Sequence, residues 1–366
     1  MDELICQGCG VTLQTTDKNK AGYTPASALE REIVLCQRCF RLKHYNESQE
    51  VSVSDDDFLQ MVSSIRNANG LVVHLIDLFD VEGSLLKNLH RIVGNSPVVL
   101  VANKVDLLPK SINVYKLEKW LRSSAKNVGV RVKDVFLISA KKGHGVVELA
   151  QAIENERNTE DVYIVGTTNV GKSTFINRLI KHSTGEGDVI TTSYFPGTTL
   201  GFIEIPLDET SVLIDTPGIV NKQQLVHYVS DKDLKIITPD KEIKPRVYQL
   251  NPEQTLFIGG LARVDFIKGE RQSFVCYFAN DLAIHRTKLE KAEALFEEHL
   301  GGLLSPPDAE TLAILPEFKS HDYRLPEEKT DIVLPGLGWI SVPSTGASVR
   351  VHIPEEATVT LRQSLL

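Results

Sequence analysis

A chain of 366 residues has room for two or three domains, and 42% hydrophobic with 24% charged residues is the make-up of a protein that buries its own cores. A formal charge of −8 speaks against a generic polybasic nucleic-acid binder, though local patches survive that test. The opening MDELICQGCG lacks a secretory pattern and no apolar run reaches membrane-span length, so a cytoplasmic protein without a membrane partner is expected.

Four of the five cysteines fall in two C-x2-C knuckles, Cys6–Cys9 and Cys36–Cys39. Two such pairs supply four thiolates to one tetrahedral zinc, so residues 1–50 are expected to form a zinc module. The 26 residues between the knuckles require a bridging loop or hairpin. Arg38, Arg41, Lys43 and His44 form a basic cluster there, readable as an RNA contact or as solvated surface beside a structural metal. Cys276, in an alternating run, is expected to be a small buried hydrophobe.

Ser54-Asp55-Asp56-Asp57 has the form of a helix start, with the helix ending near Asn69-Gly70. Leu71–Asp77 and Pro97–Ala102 then read as buried strands, Val114–Asn127 as a helix, Val132–Ser139 as a strand and Val146–Glu156 as a helix. A polar connector at 155–160 leads to a strand at Val162–Val165 and a helix from Lys172, followed by a hairpin of Leu200–Pro206 and Ser211–Ile214. Alternating strands and helices predict an α/β domain over 51–219, with a mostly parallel sheet covered on both faces. From 220 to 366 the texture changes. Strands are expected at Leu256–Ile267, Ser273–Phe278, Asp331–Val342, Ser348–Ile353 and Thr358–Leu361, with one long helix at Thr287–Leu300, which makes a separate α+β domain. Its 17 Lys and Arg against 21 Asp and Glu allow no uniform basic face.

Gly166-Thr-Thr-Asn-Val-Gly171-Lys172-Ser173 matches G-x-x-x-x-G-K-[ST], placed after a strand and at a helix start. Backbone N–H groups of such a loop turn inward around phosphate oxygens, and the helix dipole favours the anion. Lys172 is expected to reach the β- and γ-phosphates and Ser173 to ligand Mg²⁺, with Asn169, Val170 and Thr174 completing the loop's nucleotide contacts. Asp215-Thr216-Pro217-Gly218 closes a strand, where the acid holds magnesium and the Gly218 N–H senses the γ-phosphate. Pro196-Gly197-Thr198-Thr199 offers a threonine to the magnesium shell, and Thr198 and Thr199 both remain open for that role. Asn103-Lys104-Val105-Asp106 selects guanine, because the Asp106 carboxylate accepts from the ring N1–H and the 2-amino group, a donor pair that adenine lacks. The stem of Lys104 can lie along the base and Asn103 ties neighbouring loops. Ser139-Ala140-Lys141 fits the companion loop whose backbone N–H meets the guanine O6.

These residues spell a GTP site in a permuted order, since base recognition precedes the phosphate and magnesium motifs. Surface termini that lie close together allow such a permutation, with 155–160 as the new join. The order, the two cysteine knuckles and the trailing domain with Gly259-Gly260-Leu261-Ala262-Arg263 and Pro335-Gly336-Leu337-Gly338-Trp339 resemble the YqeH family of circularly permuted bacterial GTPases. The resemblance implies a P-loop GTPase fold, a TRAP-like C-terminal domain for RNA or peptide, and cytosolic action in small ribosomal subunit assembly; a monomer is expected. Ile219 stands where Ras-type enzymes carry a water-positioning glutamine, and an apolar side chain cannot orient water. Asn169 is the counterpart of an asparagine that helps potassium-activated GTPases bind K⁺, so faster hydrolysis in K⁺ than in Na⁺ is expected. The leading reading is a slow GTPase used as a switch. The alternatives are an RNA- or protein-binding scaffold with incidental hydrolysis, and a GTPase partner in tRNA modification.

Overall fold

The computed structural model describes residues 4–8, 10–29, 31, 33–45, 52–53, 70–87, 89–184, 203–343 and 346–366. Cys9, the helix expected from Ser54, Thr198, Thr199 and the first residues of the expected 200–206 strand lie outside the described residues. The chain parts into two units, one of Met1–Asp106 with Asn113–Asn221 and one of Leu107–Ile112 with Lys222–Leu366.

The first unit contains a six-stranded sheet and a short two-stranded one. In chain order its strands are β1 Ser52–Val53, β2 Gly70–Asp77, β3 Val98–Asn103, β4 Asp134–Leu137, β5 Asp161–Val165, β6 Ile203–Pro206, β7 Val212–Asp215 and β8 Gly218–Ile219. The large sheet runs β4-β3-β2-β5-β7-β6, parallel throughout except for the β6–β7 hairpin. Strands β2 and β3 are buried at every position, which explains why, His74 apart, they read as near-continuous apolar runs rather than alternating ones. The helices Val146–Arg157 and Lys172–Thr184 turn Val146, Leu149, Ile153, Phe175, Ile176 and Ile180 onto one sheet face. The helix Val114–Asn127 is capped by Asn113, whose side chain accepts from the Lys116 N–H, and buries Leu117, Leu121 and Ala125 at helical spacing. At the permutation's join the buried Arg157 donates to Glu154, Asp208 and Ser211, which pins the helix end to the β6–β7 turn.

His74 lies fully buried in the middle of β2. Its Nε2 accepts from the Leu86 N–H at 3.2 Å, and its Nδ1 lies 3.4 Å from the Val165 carbonyl, so the neutral Nδ1–H tautomer satisfies both ring nitrogens. Burial pushes its pKa down to about 4, against a smaller upward pull from the Val165 carbonyl. The folded state thus binds fewer protons than the unfolded state between pH 6.5 and 4, and stability present above pH 6.5 is lost as pH falls through that window. At pH 5 the loss attributable to His74 is expected to be about 2 kcal/mol. Urea unfolding at pH 7.5 and 5 measures it: the difference between wild type and His74→Gln shrinks at the lower pH if His74 is responsible, and stays constant if it is not.

The second unit holds two five-stranded antiparallel sheets around one core. Its strands are β9 Arg246–Leu250, β10 Gln254–Ile258, β11 Ala262–Lys268, β12 Gln272–Phe278, β13 Ile284–Lys288, β14 Phe318–Arg324, β15 Thr330–Leu334, β16 Gly338–Val342, β17 Ser348–Pro354 and β18 Thr360–Gln363. The sheets run β13-β10-β11-β17-β14 and β18-β15-β16-β12-β9. Leu256, Val264, Phe266 and Val351 of one meet Phe274, Cys276, Ile332 and Ile340 of the other. Cys276 is a buried core thiol, as its alternating run predicts. The unit is β-rich, and its longest helix, Leu289–His299, packs Ala292 and Phe296 near Phe257.

Two of the expected strands are each a hairpin. The run 256–267 breaks at Gly259-Gly260 into β10 and β11, and 331–342 breaks at Pro335-Gly336 into β15 and β16. Gly336 has φ +80°, a left-handed turn conformation that an L side chain resists. The helix expected from Thr287 starts at Leu289 because Ile284–Lys288 pairs with β10. The second unit also takes in Leu107–Ile112: the Ile243 N–H donates to the Leu107 carbonyl and the Lys110 N–H to Glu242. No helix among the described residues is long and apolar enough to cross a membrane.

Candidate nucleotide site and cysteine cluster

The permutation is invisible in space. Motifs that follow β3, β4, β5 and β7 all emerge at the carboxyl ends of parallel strands, where open α/β sheets bind ligands. The phosphate loop after β5 has the base motifs on one side and Asp215 on the other.

Asn103 ties three loops together. Its Nδ2 donates to the Val170 carbonyl at 2.8 Å, and its Oδ1 accepts from the Ala140 N–H at 2.9 Å. Gly171 is indispensable to this arrangement: it has φ +91°, and a Cβ there would sit 2.6 Å from Asn103 Nδ2. The Ala140 N–H is spent on Asn103 here, while Arg178 from the helix Lys172–Thr184 donates to the Ala140 and Lys141 carbonyls and so braces the 139–141 loop. Ser139 is buried, and its Oγ accepts from the Lys142 N–H.

Lys104 sits at φ +68° and spans from the base loop to the phosphate loop. Its Nζ donates to Asp77 Oδ2 at 2.6 Å and to the Asn169 carbonyl at 2.7 Å. Asp77 ends β2 and escaped the motif reading; an acid closing a buried parallel strand was the available signal. The Asp106 side chain is 5% exposed, with Lys142 Nζ 3.5 Å from its carboxylate. Lys142 also lies beyond the motif residues singled out from sequence.

In the phosphate loop, Lys172 is 1% exposed and its Nζ lies 3.4 and 3.3 Å from the Gly166 and Thr167 carbonyls. Asn169 adopts φ +65°. The hydroxyls of Thr167, Thr168 and Ser173 are buried without a hydrogen-bond partner among the described residues. A buried unsatisfied hydroxyl costs about 1–3 kcal/mol, so their collection at a helix N-terminus fits a ligand rich in acceptors or a hard cation. The residues present therefore fit a magnesium–phosphate group, with Ser173 and Asp215 as its protein oxygens.

Asp215 itself differs from expectation. Its carboxylate is 2.6 Å from Arg38 Nη2, which also donates to the Asp215 carbonyl at 3.0 Å, and both side chains are buried. Arg38 therefore does not belong to the surface cluster to which its sequence neighbours assign it. Gly218 and Ile219 form β8, paired on one side with Ser52 and Val53. On the other side the Ile219 N–H donates to the Gly166 carbonyl, and the Thr168 N–H donates to the Ile219 carbonyl. Ile219 thus lies along the phosphate loop by its backbone.

The sulfurs of Cys6, Cys36 and Cys39 are buried and lie within 4.8 Å of one another. The Cys36 and Gly8 N–H groups point at Cys6 Sγ, 3.1 and 3.4 Å away. Zn–S bonds of ~2.3 Å place tetrahedral sulfurs about 3.8 Å apart, so the three thiols fit a zinc ion that needs one more ligand. Cys9 is the residue that the knuckle spacing assigns to it.

Comparison with known proteins agrees with this geometry. A family model described as "50S ribosome-binding GTPase" matches residues 161–254, and one described as "YqeH-like, C-terminal" matches residues 271–365. The protein YqeH of Bacillus subtilis is 53% identical over all 366 residues, the full length of both chains. The chain belongs to the YqeH family. Other relatives extend the family to eukaryotes. The NO-associated protein 1, chloroplastic/mitochondrial, of Arabidopsis thaliana is 31% identical over 92% of this chain and 69% of its own. The human nitric oxide-associated protein 1 is 26% identical over 99% and 74%. This YqeH-family chain is a GTP-binding protein and a GTP hydrolase, and its GTPase domain implies GTP or GDP with Mg²⁺.

Proposed function

We propose that this GTPase acts as a nucleotide-dependent switch in assembly of the small ribosomal subunit, in the cytoplasm and as a monomer. The observation that carries the reading is where the two nucleotide-reading segments lead. Asp215–Gly218 ends only a few residues before the second unit begins at Lys222, and Asp106 directly precedes Leu107–Ile112 of that unit. Segments that respond to phosphate and base are therefore continuous with the unit assigned to the RNA or protein partner, and switch loops work by changing order with the γ-phosphate. A zinc-bound cysteine module is a second candidate RNA contact. Arg41, the described cluster member that is exposed, leads that surface now that Arg38 is withdrawn from it.

In this reading Asp106 reads the guanine N1–H and 2-amino group, Lys172 neutralises the β- and γ-phosphates, and Ser173, Asp215 and Thr198 or Thr199 hold magnesium. Bound magnesium supplies charge neutralisation on the transferring phosphoryl oxygens. Ile219 cannot position water, so the intrinsic rate is slow, and a K⁺ held by Asn169 offsets developing charge. Equal hydrolysis in K⁺ and Na⁺ at matched ionic strength would sink the potassium part.

The test of the main reading is sedimentation with separated ribosomal subunits under a GTP analogue, GDP and no nucleotide. Association with the small subunit that depends on nucleotide is the expected result. Because one matching family description names the 50S subunit, binding confined to the large subunit replaces the assignment, and binding to neither removes it. Lys172→Ala that binds equally in every state would favour the scaffold alternative.

A further inference from the structure

We propose that Arg38 is a positioning residue for GTP hydrolysis: it is a resident cation on Asp215 that magnesium must displace, and through it the cysteine module senses nucleotide. The inference rests on the reading of Asp215 as the magnesium-side acid.

The contact joins residues 177 positions apart, at 2.6 Å, with side chains 4% and 2% exposed. A carboxylate so deeply buried needs a positive partner, and removing that partner leaves a costly uncompensated charge. Guanidinium does not shed its proton in proteins, so Arg38 leaves Asp215 by moving, not by neutralising. A magnesium ion arriving with GTP brings two positive charges to the same carboxylate and is the natural replacement. The swap keeps the Asp215 carboxylate compensated while freeing the arginine.

What the arginine is attached to gives the swap a consequence. Arg38 stands between Cys36 and Cys39, on the first turn of the helix Gln37–Tyr45, and the thiols of Cys6, Cys36 and Cys39 converge beside that turn. Its backbone is therefore tied to the cysteine cluster, and displacement of the guanidinium pulls on the module. Strand β1, which follows the module in the chain, pairs with β8, which begins at the last residue of the D-T-P-G segment, so the N-terminal region grips this segment at two points. On its other edge β8 lies against the phosphate loop through the Thr168 and Ile219 backbones. Nucleotide with magnesium competes with the first grip at Asp215. Loss of zinc loosens the turn that aims Arg38, and so relieves the same competition from the other end.

The experiment uses the full-length, zinc-loaded protein and the fluorescence of a methylanthraniloyl-GDP probe, titrated with Mg²⁺. Arg38→Ala is expected to half-saturate at a Mg²⁺ concentration at least tenfold below wild type, while Arg38→Lys, which restores a cation, stays within about threefold. Zinc content, measured by chelator release, is unchanged in both. Asp215→Asn separates the two levels of the reading. If it leaves the Mg²⁺ dependence at the wild-type value, the assignment of Asp215 fails and the proposal with it. If it abolishes that dependence but Arg38→Ala matches wild type within twofold, only the proposal is overturned. Should Arg38→Ala lose zinc or fail to fold, wild-type protein decides. With a GTP analogue, tryptic cleavage after Arg38 is expected to be at least tenfold faster with Mg²⁺ than with Mg²⁺ omitted, omission rather than chelation sparing the zinc. Equal protection in both conditions overturns the proposal.

Discussion

Asp106→Asn is expected to weaken GTP binding roughly 10³-fold and to confer binding of xanthosine triphosphate, because a site built around one hydrogen-bond pattern rejects its mismatch strongly. Guanine offers two parallel donors, N1–H and the 2-amino group, and a carboxylate accepts both. Asparagine keeps one acceptor and turns a donor toward the 2-amino group, so one good bond becomes a donor–donor clash in a nearly buried site. Xanthine replaces that amino group with a carbonyl and restores the match. The Asp106 side chain is only 5% exposed, so water cannot rescue the mismatch, and Lys142 beside it carries an ammonium that can only donate, so it cannot accept from the 2-amino group instead. Competition of GTP, xanthosine triphosphate and ATP against a fluorescent guanine nucleotide measures the change. A variant that still prefers GTP would move base recognition away from this loop.

Lys172→Ala should lower GTP hydrolysis about 10³-fold, the scale on which a pre-aimed electrostatic donor contributes to a transition state. In the described arrangement the ammonium is buried against the carbonyls of Gly166 and Thr167, held inside the loop. It is therefore already desolvated and positioned, and little reorganisation is required when a phosphate presents stronger acceptors. Truncation to alanine removes a positive charge at the place where phosphate charge accumulates. Single-turnover hydrolysis with the protein in excess isolates this effect from product release. A loss of less than tenfold would show that another cation does the work. Thermal unfolding of the variant guards against a collapsed loop as the cause.

The GTP motifs were legible because phosphate and base geometry dictate residue type and spacing over a few positions: Gly166, Gly171, Lys172, Asn103 and Asp106 could be read in isolation. The parallel strands were legible for a related reason, since β2 and β3 are buried on both faces and apolar apart from His74 and the terminal Asp77 and Asn103. That same logic failed at 256–267 and 331–342, where apolar residues continue through the turn and only glycines mark the reversal. Strand β14 was missed because most of its residues face solvent, leaving a polar run, FKSHDYR, without an apolar pattern. The partners of the site residues were the least legible. Asp77 for Lys104, Arg178 for the 139–141 loop and Arg38 for Asp215 are fixed by tertiary packing across 27 to 177 positions, and no local spacing encodes them.

The membership of Leu107–Ile112 in the second unit has a consequence in time. These residues leave the translating ribosome roughly 130 residues ahead of Glu242 and Ile243, which supply their hydrogen bonds, and at ordinary elongation rates that is a wait on the order of ten seconds. The sheet of the first unit can be complete before then. The segment that follows the guanine-reading aspartate thus finds its native partners only after all the GTP motifs have been made, and a nascent chain halted near residue 221 carries every GTP motif with that segment still unanchored.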